Sequence, residues 1–358
     1  MKIGIIQSVI GAGGGNDMVL FSLLNKLNRT DHKVTLYTIG QPRCDLKRYD
    51  KIKIKKLLPV KVSIFGIYQK ILETQLAKKA QHDEVVIALT GDLFLPANKK
   101  QRMIFYSQND FSDPTKSNTS KYKEGFWKYY YLPYKKIIDK MKNKMNNYNI
   151  EFIANSDHVK QQLKRELNVD AKIIYPPVDL KMFQTEKTDN RKGIMSVGRF
   201  SKEKNMHKII ELAGELDCPT KLFGSVTPTN KTYYDGLIKA GKPKGITFYT
   251  NQPLDLMIKQ LHKSKVFISA SDETFGIAVV EAMASGCIPI VPDSTAHRET
   301  VPFGILRPIG DVDDETTKIR LLQALDGEFD HLLPQIQEHI QKFDIKNFQD
   351  KFLDVIES

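Results

Sequence analysis

The stretch DETFGIAVVE (272–281) holds two carboxylates, Glu273 and Glu281, with seven residues between them and an aromatic–glycine pair inside the interval. The preceding KVFISAS (265–271) reads as a buried strand. GIAVVEAMAS, ended by Gly286, reads as a helix. The acids then flank a strand-to-helix turn. A glycine at such a turn leaves the amides of Phe275, Gly276 and Ile277 without helical acceptors, a setting that receives anions or sugar hydroxyls. Glu273 beside that terminus is expected to stay ionised as an acceptor. Glu281 lies within IAVVEAMA, where a charge is costly unless it has a partner. Its two oxygens suit a cis-diol such as a ribose. Reading the pair as a helix-terminal acid and an exposed helix position leaves that apolar setting unexplained.

Two further segments carry groups able to meet phosphate. In VGRFSKEKN (197–205) a strand ends and a helix begins, with Arg199 and Lys204 at the carboxyl edge where open α/β sheets bind ligands. A guanidinium fork and a movable ammonium could together neutralise a departing diphosphate, although a solvated charge cluster would look the same in isolation. GAGGG (11–15), with Gly13, Gly14 and Gly15, follows a strand and precedes a helix. Two readings of it stay open: backbone amides approaching a phosphate or sugar, or a tight turn that packs strand on helix. A nicotinamide-binding fingerprint fails, because Asn16 stands where a third glycine is needed and Thr38 where an acid is needed.

The elements that must position these groups alternate strand and helix throughout. Strands are expected at 2–10, 33–39, 84–90, 102–107, 151–155 and 171–175, with helices at 64–80, 121–146 and 157–167 and a helix behind Asn16 as its N-cap. After a linker at 175–193 a second series follows. It has strands at 193–200, 219–225, 245–250, 265–271 and 287–293, and helices near 204–216, 230–240, 253–263, 315–325, 331–342 and 345–357. The fold class is therefore α/β, with two doubly wound Rossmann-like domains and a cleft between them. A length of 358 residues is consistent with two such cores.

Charge separates the halves. Residues 1–175 carry 31 Lys and Arg against 16 Asp and Glu, whereas the remainder carries 23 against 26. Two basic segments also hold aromatics, 51–70 and 121–144, the latter with the only tryptophan. They suit an anionic membrane interface or, equally, amphipathic helices with solvated basic faces. Apolar runs are too short to span a bilayer, and the first is read as a buried strand instead of a signal core. Three scattered cysteines suit a reducing compartment, so a cytoplasmic location is expected, with peripheral attachment to the cytoplasmic membrane face as its extension. Asp311-Val312-Asp313 precedes a helix and reads as capping acids; no metal and no cofactor is expected.

Taken together, Glu273-Thr-Phe-Gly, Glu281 and the following Ala-Met-Ala-Ser-Gly resemble the E-x(7)-E signature of retaining, nucleotide-sugar-dependent glycosyltransferases of the GT-B fold, in their large fourth sequence family. SVGRFSKEKN is similar to that family's phosphate-binding segment, and ANSDHVKQQL with IIYPPVD to its inter-domain stretch. Glycines 13–15 with NDMVL resemble the loop of the dolichol-linked α-1,2-mannosyltransferase branch. The resemblance implies an N-terminal acceptor-side domain at 1–178, onto which 343–358 packs back, and a C-terminal nucleotide-sugar domain at 190–342. It implies catalytic roles for Glu273, Arg199 and Lys204, with the two cations on the donor diphosphate. Gly13, Gly14, Gly15, Phe275, Gly276, Ile277 and Glu281 would bind the donor, and Glu281 its ribose. Gln108 would contact the sugar where the family often has histidine. The implied activity is metal-independent, front-face transfer of a hexosyl, with a lean to mannosyl, from a nucleotide-diphosphate sugar to a lipid-linked or polysaccharide acceptor. A phosphorylase would need a pyridoxal-binding lysine region in a much longer chain, and epimerases lack the Gly-Arg-Phe…Lys segment. The non-enzymatic alternative is a basic nucleic-acid- or anion-binding protein. It lacks a groove-reading motif, so no nucleic acid is expected as partner.

Overall fold

The structure, a computed structural model, describes residues 1–59, 69–89, 93–108, 122, 124–184, 190–216, 218–301 and 315–358. The chain divides into two units, Met1–Pro177 with Lys346–Ser358, and Val178–Ile345.

In the first unit the elements run β1 (Lys2–Ile6), α1 (Gly15–Leu27), β2 (Lys33–Thr38), β3 (Lys53–Lys56), α2 (Gln69–Lys79), β4 (Val85–Ala88), β5 (Arg102–Ser107), α3 (Gly125–Met145), β6 (Ile150–Ala154), α4 (Asp157–Leu167) and β7 (Ala171–Ile173). The strands form one parallel sheet in the order β3-β2-β1-β4-β5-β6-β7. Strand order reverses between β1 and β4, the switch point at which such sheets open a crevice at their carboxyl ends. Continuous apolar runs such as Val85–Ala88 are buried throughout, as a sheet covered on both faces requires.

The second unit runs α5 (Leu180–Phe183), β8 (Ile194–Val197), α6 (Met206–Ala213), β9 (Thr220–Gly224), α7 (Lys231–Gly241), β10 (Thr247–Thr250), α8 (Leu254–Leu261), β11 (Val266–Ile268), α9 (Ile277–Ala284), β12 (Ile288–Ile290), α10 (His297–Thr300), α11 (Glu315–Asp326) and α12 (Leu333–His339). Its sheet, also parallel, is ordered β10-β9-β8-β11-β12, so the switch point falls between β8 and β11. The last helix, α13 (Ile345–Glu357), lies almost wholly in the first unit. Its Phe348 and Phe352 pack edge-on to Tyr106 with ring centroids 6.0 and 5.6 Å away, in a cluster that includes Ile3, Ile5 and Leu20. Arg102 donates to the carbonyls of Ile356 (2.9 Å) and Val355, and Lys26 pairs with Asp350 at 2.7 Å. A cation at the carboxyl end of a helix meets the negative end of its dipole.

Several local expectations shift. Asn16 does not cap α1: it lies inside the helix, and the cap is Gly14, whose φ of +94° suits only glycine. The expected helix at 204–216 begins as a short 3-10 turn, Lys202–Lys204, and restarts after Asn205, which is left-handed at φ +49°. Residues 51–70 contain an edge strand, β3, whose Lys53, Lys55 and Lys56 discourage pairing with another sheet. The 175–193 segment is partly ordered: Asp179 caps α5 by accepting from the Met182 amide, and α5 packs on α9. Val178 and Phe343 to Ile345 share backbone hydrogen bonds of 3.0 Å, so both belong with the second unit. Asp311-Val312-Asp313 and 60–68 lie outside the described residues. Among the described residues no helix is long and apolar enough to cross a membrane.

Candidate active site

Two loops at the switch point of the second unit bring the first acid and a cation together. After β8, Gly198 has no side chain, and the Lys204 methylenes lie where one would point, 3.7 Å from the position of a Cβ. The left-handed Asn205, anchored by its Nδ2 donating to the Ala270 carbonyl at 2.9 Å, turns the chain so that Lys204 reaches the loop after β11. There the Lys204 ammonium pairs with Glu273 Oε1, which also accepts from the Ser271 hydroxyl at 2.8 Å. Side chains of both partners are about three-quarters buried or more. Arg199 sits apart from this pair: it is largely exposed and pairs with Glu203 at 3.3 Å.

Gly276 caps α9 at φ +90°, and the amides that follow it open the helix half-exposed. The first intrahelical donor is Val279, whose amide reaches the Gly276 carbonyl at 3.0 Å, so the Gly276, Ile277 and Ala278 amides point out of the ladder. The Phe275 ring is core, packed edge-on against Phe343 at 5.1 Å, so only its backbone faces the turn. Gly286 and Cys287 end the helix with amide bonds to Met283 and Ala282, both 2.9 Å, a Schellman arrangement.

Glu281 is 8% exposed, and its carboxyl has no hydrogen-bond partner among the described residues. Burial alone pushes its pKa from 4.5 up to about 7. An acid in this state has unmet acceptor capacity, which a ligand hydroxyl entering beside α9 would satisfy.

A third loop, after β12, was missed by sequence reasoning. It clamps the β11 loop at four points: Ser294 donates to Asp272, the Glu273 amide donates to Thr295 Oγ1 at 3.3 Å, the Ala296 amide donates to the Glu273 carbonyl at 3.3 Å, and His297 Nε2 donates to the Ser271 carbonyl at 3.2 Å. Thr295 is left-handed at φ +48°, a strained state for a β-branched residue, of order 1–3 kcal/mol. His297 is fully buried, its Nδ1 has no partner among the described residues, and its ring lies 3.1 Å from where a Cβ on Gly276 would be. Burial lowers its pKa, so it is neutral and its Nε2 carries the proton. The signal that could have found the clamp is strand adjacency: β11 pairs with β12, so their carboxyl-end loops must meet.

In the first unit the glycine loop is braced from inside. Asp17 accepts from the Gly11 amide at 3.0 Å and the Gly13 amide at 2.6 Å, while positions beside the α-carbons of Gly13 and Gly14 open onto empty space. Gly15 is the first residue of α1. Gln108 is buried, donating to the Leu89 carbonyl at 3.4 Å while its own carbonyl accepts from Asn155 at 3.5 Å. These residues belong to a different unit from Glu273 and Glu281.

Two switch-point sheets, with an acid, a cation and open helix amides at the carboxyl edge of one, define an α/β protein of the GT-B type. Residues 178–313, within the second unit, match the family model of glycosyl transferases group 1. The GDP-Man:Man(3)GlcNAc(2)-PP-Dol alpha-1,2-mannosyltransferase of Dictyostelium discoideum is 24% identical over 227 residues, 56% of this chain and 45% of that one. The match thus spans less than half of that relative. Among solved structures, sucrose-phosphate synthase from Thermosynechococcus elongatus superposes with a TM-score of 0.80 at 16% identity, over 99% of this chain and 98% of its own. Anabaena Alr3699/HepE, solved with UDP and glucose, gives 0.73 at 16% identity, with both chains covered in full. At these identities the likeness is one of fold, and it agrees with the GT-B reading of the sequence.

Proposed function

We propose that the protein is a retaining glycosyltransferase that moves a hexosyl group from a nucleotide-diphosphate sugar to a lipid-linked or polysaccharide acceptor. The observation that carries this reading is Glu281: a buried carboxyl without a protein partner among the described residues, about a turn and a half into the helix whose open amides and Glu273–Lys204 pair lie at its start. Glu281 takes the ribose hydroxyls; the Gly276 and Ile277 amides and Glu273 take the sugar; Lys204 and Arg199 take the diphosphate. Glu273 occupies Lys204 until a phosphate arrives to share it. For Gly13 to Gly15 the role proposed is donor binding, and for Gln108 a sugar contact.

In a front-face route the bond from the anomeric carbon to the phosphate oxygen breaks. The acceptor hydroxyl bonds to that carbon on the same face, and its proton passes to the departing diphosphate. Each well-placed donor on the leaving group is worth about 3 kcal/mol. Glu273 and Glu281 grip two ends of one donor and are not the facing acid–base pair of a hydrolase. The reaction uses no metal or cofactor; full loss of activity in EDTA, restored by manganese, would overturn that.

The name of the Dictyostelium relative, a GDP-mannose enzyme with a dolichol-linked acceptor, supports a mannosyl donor and a lipid-linked acceptor. The UDP and glucose held by the Anabaena protein favour a different base and sugar. Peripheral contact of the basic first unit with an anionic membrane belongs to the same reading. Thermal-shift screening against UDP, GDP, ADP and their sugars separates the donors, because a ligand that binds the folded state raises the melting point. Glu281→Ala should then weaken the nucleoside response, and Glu273→Ala should abolish turnover with less effect on nucleoside diphosphate binding. Equal loss in both contradicts the division of roles. Absence of any nucleotide response, with salt-sensitive polynucleotide binding instead, favours the anion-binding alternative.

A further inference from the structure

Helix α3 carries six lysines against a single acid, Asp139, and shows its apolar residues to solvent at one end. Phe126 is 71% exposed, Tyr129 73% and Leu132 45%. At a helical advance of about 100° per residue these three fall on one stripe with Lys136, Lys140 and Lys144. The stripe is segregated along its length. Its first two turns are apolar and hold no base, and its last turns are a row of exposed lysines four residues apart. Among the described residues Lys136, Lys140 and Lys144 form no ion pair. The opposite side of the helix holds the buried Tyr131 and Met145, so the stripe faces away from the core.

We propose that this stripe of α3 docks onto an anionic phospholipid bilayer, with Phe126, Tyr129 and Leu132 entering the interface and Lys136, Lys140 and Lys144 resting on the headgroup phosphates. The proposal deepens the membrane part of the proposed function by naming its surface, and it holds or fails without any sugar transfer. Charge complementarity selects the partner's sign. The separation of apolar end from basic end selects a bilayer over a nucleic acid, since a polynucleotide channel interleaves bases with stacking rings along the strand. Aromatic rings at headgroup depth with lysines reaching phosphate match the physics of an interfacial helix. The helix meets the membrane obliquely, amino end first.

The full chain is mixed with vesicles of phosphatidylcholine, alone or with phosphatidylglycerol, at low salt without nucleotide. Binding is read by sedimentation and by emission of Trp127, the only tryptophan, which adjoins Phe126 at 5.6 Å between ring centroids. Wild type should sediment with the anionic vesicles alone, and its emission should shift to the blue. Lys136→Glu, Lys140→Glu and Lys144→Glu together should cut binding by at least about fivefold per lysine removed. Phe126→Ser with Tyr129→Ser and Leu132→Ser should abolish the blue shift. Because all six side chains are exposed, both variants should keep the wild-type melting point, which is checked. Unchanged binding of either variant, sedimentation with no change in Trp127 emission, or displacement of the vesicles by a single-stranded polynucleotide overturns the proposal.

Discussion

Glu281 responds to pH in a way that an exposed helix acid cannot. Unfolded, it titrates near 4.5, and folded at about 7. Below 4.5 it is neutral in both states and costs nothing. Between 4.5 and 7 the unfolded chain ionises first, so stability falls; above 7 the penalty is constant at roughly 3 kcal/mol. Glu281→Gln should therefore be more stable than wild type at pH 8 by that order and equal to it at pH 4, as read by denaturant unfolding. If ligand hydroxyls favour the ionised form, nucleoside diphosphate affinity of the wild type should also drop below pH 7, and the Gln variant should lose that dependence. The two glutamates and Gly276 were legible because their spacing alone fixes them on one turn and one helix. Thr295 and His297 were not, since nothing in Ser-Thr-Ala-His-Arg announces that its backbone will lie against a loop more than twenty residues earlier.

At the scale of elements, the β12 loop is what gives the Glu273 loop its shape. His297→Ala should speed amide hydrogen exchange across 271–278 in the ligand-free protein. His297→Gln, which can present a donor near the place of Nε2, should restore protection. Equal exchange in all three proteins would mean that the clamp does not hold the loop. The alternation of elements was readable because each strand is a short apolar run and most helices repeat at helical spacing. What escaped were elements fixed by context. A strand made of Lys-Ile-Lys-Lys is recognisable only beside β2, and the break at Asn205 follows from its hydrogen bond to Ala270. The half-exposed amides at α9 were foreseeable from Gly276, whereas the Lys204–Glu273 pair required knowing that β8 and β11 are neighbours.

For the molecule as a whole, the first unit is discontinuous, and its completion depends on α13. Phe352 is fully buried in the sheet-facing cluster. Phe352→Ala should cost about 3–5 kcal/mol and lower the melting of the first unit, seen by calorimetry, with a smaller effect on the second. The alternation of strand and helix pointed to two doubly wound units and the aromatics at 348 and 352 to a last helix, while its return to the first unit came from the family resemblance. The sequence could not place the unit boundary, which depends on the Val178 amide donating to the Phe343 carbonyl and the Val178 carbonyl accepting from the Ile345 amide. Vectorial synthesis adds a consequence of this arrangement. The segment that seals the first unit's sheet is made only after the whole of the second unit, so β1 to β7 spend the translation of 168 intervening residues with one apolar flank uncovered. The later-made lobe, contiguous in the chain, has no such wait and can mature before the earlier one is sealed.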